Sequence, residues 1–76
     1  MYWLDESSKT QGTGTQRDFY CDSSSDIPNL PTSTALGVQQ GEDTVSCQPC
    51  GIGSFCLSIA DATGYFLNSD NQWVEV

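Results

Sequence analysis

Gly53-Ser54-Phe55-Cys56-Leu57-Ser58-Ile59-Ala60, then Asp61-Ala62-Thr63-Gly64, Tyr65-Phe66-Leu67, Asn68-Ser69-Asp70-Asn71-Gln72 and Trp73-Val74-Glu75-Val76: this closing stretch decides the fold. Phe55, Leu57 and Ile59 alternate with Ser54, Cys56 and Ser58, the clearest period-two pattern in the chain. The alternation predicts a strand whose large residues are buried and whose small polar residues face out, as in an antiparallel sheet covered on one side. Asp61–Gly64 is turn chemistry, and Tyr65–Leu67 should pair back. Asn68–Gln72 suits a hairpin loop, because Asn and Asp tolerate positive φ. Trp73, Val74 and Val76 close a meander.

Upstream the signals weaken. Arg17–Asp22 is a strand candidate with Phe19 and Cys21 on one side and Tyr20 and Asp22 on the other. Pro28 and Pro31 bias Ile27 and Leu30 away from helix, so Asp26–Pro31 holds at most one helical turn, capped by Ser25 or Asp26. Ile27 and Leu30 are spaced to enter the core together. Thr44–Cys47 reads as a further short strand with Val45 and Cys47 on one face. Residues 5–15 are rich in Ser, Thr, Gly and Gln, the composition of a flexible loop. Tyr2, Trp3 and Leu4 precede that loop. An aromatic cluster there should dock onto the core or a neighbour.

These readings give a mainly β fold: a small antiparallel meander of about four or five short strands. Residues 1–16 form an N-terminal arm or loop, and residues 17–76 form a single small domain. With 76 residues and 37% hydrophobic composition, the core is marginal, and a staple or partner chain is expected.

Ten acids oppose two bases, and histidine is absent, giving a net charge of −8. This balance excludes nucleic acid, whose phosphates need clustered Lys and Arg, and excludes anionic membrane surfaces for the same reason. No apolar run is long enough for a membrane span, and no signal peptide is recognisable, so synthesis in a cytoplasm is expected.

The four cysteines, Cys21, Cys47, Cys50 and Cys56, include one C-x-x-C pair. A zinc site would need all four, since no histidine is present, and Cys56 would have to leave a regular strand. A thioredoxin-like pair needs a helix start, but Gly51 and Gly53 follow the motif. One disulfide is a further alternative. The simplest reading is four small buried hydrophobes. Catalysis is not expected. Asp18, Asp22, Asp61 and Asp70 all look solvent-facing, and no triad, phosphate loop or metal-protease motif occurs. No cofactor is expected. Oxygen-rich Asn68–Gln72 lacks the spaced carboxylates of a calcium loop.

The order Asp18-Phe19-Tyr20-Cys21-Asp22, Asp26…Leu30-Pro31-Thr32, Gly41…Asp43-Thr44-Val45, Gly53-Ser54…Cys56-Leu57 and Tyr65-Phe66-Leu67-Asn68-Ser69…Trp73 resembles the small acidic β-rich structural proteins of tailed bacteriophages and prophages. It spans roughly residues 17–76. The resemblance implies a non-enzymatic virion accessory protein of head-decoration or head-fibre type. Such a protein is made in the host bacterial cytoplasm and docks onto capsid or sister subunits, commonly as a homo-oligomer. Tyr2, Trp3, Leu4, Tyr65 and Trp73 are the candidate contact residues, by aromatic anchoring or strand addition. Two alternatives are a zinc-stabilised interaction module and an acidic inhibitor that mimics nucleic acid. The second predicts acids aligned on one face, whereas the sequence disperses them among loops.

Overall fold

The computed structural model describes residues 1–10 and 12–76; the part of the expected flexible loop that falls on Gln11 lies outside them. Its strands are β1 (Tyr2–Leu4), β2 (Asp18–Cys21), β3 (Phe55–Ser58), β4 (Thr63–Leu67) and β5 (Trp73–Glu75). They lie in one mixed sheet in the order β1-β2-β3-β4-β5. The fold is mainly β.

The closing stretch forms the predicted meander. β3 pairs antiparallel with β4 and β4 with β5, with Phe55 opposite Phe66 and Phe66 opposite Val74. Asn71 takes the positive φ (60°) that the hairpin loop requires, and Asn68 Oδ1 accepts from the backbone N–H groups of Asp70 and Gln72.

The N-terminal half departs from a simple antiparallel meander. The segment expected to be an arm is the edge strand β1, antiparallel to β2, with Trp3 opposite Tyr20. β2 then pairs parallel with β3, placing Phe19 opposite Cys56. Parallel neighbours require a long crossover, and residues 22–54 supply it. This crossover contains a 3-10 helix, Ser24–Asn29, but Thr44–Cys47 is not the expected strand; the one bridge nearby joins Gln40 to Asp43. Asp43 explains the difference. Its carboxylate accepts from the N–H groups of Val45 and Ser46 and from Ser46 Oγ (2.8 Å), folding the segment into a tight turn instead of extending it.

The crossover covers one face of the sheet and completes the core. Ile27 and Leu30 enter it as expected, beside Cys50. Side-chain hydrogen bonds fasten the cover. Tyr2 Oη donates to Val38 O (2.8 Å), Trp73 Nε1 to Pro31 O (2.9 Å) and the Ser33 N–H to Asn71 Oδ1 (3.1 Å).

The facing of β3 is opposite to the sequence expectation. Ser54, Cys56 and Ser58 are buried, whereas Phe55 and Leu57 are half-exposed and Ile59 is exposed. The reason is volume. Phe19 lies edge-on between Tyr2 (centroids 6.1 Å apart) and Trp73 (5.9 Å), and these rings fill the covered face beside the middle strand. Only small side chains then fit on β3 at close packing. The buried hydroxyls are satisfied: Ser54 Oγ donates to Gly51 O (2.6 Å) and Ser58 Oγ to Asp61 Oδ2 (2.8 Å).

Candidate docking surface

The inverted phase of β3 sends its large side chains to the uncovered face. Strand pairing aligns two cross-strand rows there. One runs Trp3, Tyr20, Leu57 and Gly64; the other runs Asp18, Phe55, Phe66 and Val74. The Trp3 and Tyr20 rings lie 6.1 Å apart and the Phe55 and Phe66 rings 4.9 Å apart, so aromatic pairs knit the face across the strands. Phe66 is 43% exposed and Val74 42%. Trp3, Tyr20, Phe55 and Leu57 are half-buried beside them, and the strand pairing sets these residues side by side on the face opposite the core.

A hollow of about 280 Å³ opens on this face, lined by Asp5, Asp18, Phe19, Tyr20, Phe55 and Leu57. β2 places Asp18 and Tyr20 outward, two residues apart. Asp5 follows β1 and caps the 3-10 helix Glu6–Ser8. Its carboxylate accepts from the Ser7 hydroxyl and from the Ser7 N–H (3.2 Å). These bonds, with a smaller contribution from the Tyr20 hydroxyl, hold the Asp5 carboxyl below its ordinary value. The charge of Asp5, followed by its hydrogen bond, pushes the Tyr20 phenol up. Asp5 is therefore an anion at neutral pH beside the Tyr20 ring.

Among the described residues no cation lines this hollow. Lys9 Nζ pairs with Glu6 Oε1 at 3.0 Å, and Arg17 is buried with Nη1 donating to Val45 O at 3.2 Å. Neither residue lines the hollow. The arrangement suits an apolar surface that also carries a positive group. A cation gains from both carboxylates and aromatic ring faces.

The contact residues read from the sequence fall in different places. Trp3 lies on the open face. Tyr2 (0% exposed) and Leu4 (2%) belong to the core, where alternation along β1 points them. Tyr65 and Trp73 pack against that core from the covered face. Tyr20, Phe55, Leu57, Phe66 and Val74 were not anticipated as contact residues. Their signal was the placing of Phe19 and Cys21 in the core, which turns Tyr20 outward and, through the pairings, the other four with it.

All four cysteines are buried and unbridged. Cys21, Cys47 and Cys50 donate to separate carbonyls, those of Ser23 (3.2 Å), Thr44 (3.5 Å) and Pro31 (3.7 Å). Among the described residues no three Cys, Asp or Glu side chains gather to hold a metal ion, so the four-cysteine zinc arrangement is not assembled. Burial pushes the Cys50 and Cys56 thiols up, which suits packing rather than nucleophilic chemistry. Among the described residues no helix is long and apolar enough to cross a membrane.

No family model, curated protein or solved structure matches the chain.

Proposed function

We propose that this chain is a non-enzymatic assembly module that docks onto a protein partner through the open face of its sheet. The observation that carries the reading is the pair of cross-strand rows that place Trp3, Tyr20, Leu57, Phe55, Phe66 and Val74 on one uncovered surface. Aromatic side chains on a fixed sheet supply large contact area with little ordering cost, the usual basis of an interface anchor. The marginal core expected of so short a chain favours the same conclusion, since docking adds the burial that the free domain lacks.

The resemblance to tailed-phage structural proteins supplies the setting: a virion accessory protein seated on a capsid protein. The test is incorporation into particles from the phage or prophage that encodes the chain. The wild-type chain should band with purified particles at a fixed ratio. A Phe66→Asp variant that keeps its circular dichroism spectrum should be lost from them. Particles without the wild-type chain would remove the virion setting, and full retention of the variant would remove the face as the docking surface.

A further inference from the structure

We infer that the partner seated on the open face is a basic protein segment, with an arginine or lysine side chain entering the hollow between Asp5, Asp18, Tyr20 and Phe55. The inference rests on the docking role proposed above and names the chemistry of its partner.

Charge complementarity selects this occupant. The hollow combines two carboxylates with the Tyr20 and Phe55 rings, and no Lys or Arg of the chain lines it. Asp5 is preorganised as an anion by Ser7, so its orientation is set before a partner arrives. Asp18 is exposed and extends from the sheet beside it. A second copy is the wrong occupant, because it would bring eight further negative charges and its own Asp5 and Asp18 to the contact. A purely apolar partner would leave both carboxylates desolvated without a counter-charge. A guanidinium or ammonium satisfies the carboxylates and lies against the aromatic faces. Apolar residues flanking it would rest on Leu57, Phe66 and Val74.

The probe is a pair of soluble peptides, acetyl-Gly-Leu-Arg-Leu-Gly-amide and its counterpart with neutral citrulline in place of arginine. Amide chemical shifts of the whole chain are followed by NMR during titration with each. The arginine peptide should give saturable shifts at Asp5, Asp18, Tyr20 and Phe55. Citrulline, or the exposed substitution Asp18→Asn, should weaken binding by about tenfold. Raising salt from about 50 to about 500 mM should weaken the arginine peptide alone.

Equal binding of both peptides on the face would overturn the cation assignment while leaving the face a docking surface. Concentration-dependent dimerisation of the wild type, abolished by Phe66→Asp, would do the same by making a second copy the occupant. Absence of shifts on the face with either peptide overturns this inference. The docking role would fall with it only if particles also retained Phe66→Asp.

Discussion

The Phe55 ring lies over Gly64: a Cβ at that glycine would come within 2.7 Å of two ring carbons. The absent side chain on β4 gives Phe55, a residue that lines the hollow, a place to lie. Gly64→Ala should therefore displace a half-buried side-chain ring, not backbone, and alter stability by no more than about 1 kcal/mol. Its effect should appear in the Phe55 ring resonances and in binding at the hollow. Gly37 offers the contrast. A Cβ there would meet Tyr2 Oη at 2.5 Å and the backbone of Asn29 and Pro31 at 2.7 Å, neither of which can yield easily. Gly37→Ala should cost about 1–3 kcal/mol, read from urea unfolding midpoints.

The assignment of the two faces predicts unequal costs for two phenylalanines. Phe19 is 1% exposed, with edge contacts to both Tyr2 and Trp73. Phe19→Ala should cost about 3–5 kcal/mol, enough to unfold most molecules of a domain this small. Phe66→Ala loses mainly its contact with Phe55 and should cost about 1 kcal/mol. Thermal melts of the two variants test the ordering. Equal costs would mean that the covered and open faces are wrongly assigned.

Acid should weaken the fold through Asp61. Its carboxylate accepts from Ser58 Oγ and the Ser24 N–H, each at 2.8 Å, joining β3 to the start of the crossover. The Ser58 hydroxyl bond first, then those from Ser24, hold its folded-state value below the ordinary one. A depressed folded value contributes stability that is present above the unfolded carboxyl value of about 3.9 and lost as pH falls through the folded value. Melting temperature should therefore drop below about pH 4. Asp61→Asn should be less stable than wild type at neutral pH and show a shallower acid slope.

The thiols should be inert in the native protein. Burial pushes the Cys50 and Cys56 thiols up, leaving little thiolate near neutral pH. Native iodoacetamide treatment should leave the chain unmodified by mass spectrometry, and treatment in denaturant should modify all four cysteines. Rapid native labelling at any of them would show that the core opens on that timescale.

Much of the architecture was legible where the sequence alternates or turns sharply. β2, β3 and the closing hairpin follow from period-two spacing and from Asn at the loop, and Ile27 and Leu30 are core residues as their spacing implied. Alternation separates two faces but does not say which is covered. Phe55, Leu57 and Ile59 look like core in isolation, and the rings of Tyr2, Phe19 and Trp73 from other strands reverse that choice. The parallel pairing of β2 with β3 was equally hidden, because its cover is an irregular segment with no periodicity to announce it. The placement of the expected contact residues has the same cause. Tyr2 and Leu4 go inward with alternate positions of β1, and of the five contact residues expected only Trp3 reaches the open face.

The parallel seam between β2 and β3 also bears on the order of folding. The meander from β3 to β5 can close through two successive short turns, each a local event. β2 meets β3 only after the long segment between them has looped across the sheet, which carries the larger closure entropy. The seam is therefore the late step, and until it closes Phe19 and one edge of β3 stay bare. In pulse-labelled hydrogen exchange during refolding, amides of β4 should become protected before those of β2. Simultaneous protection would mean that the sheet assembles as one unit.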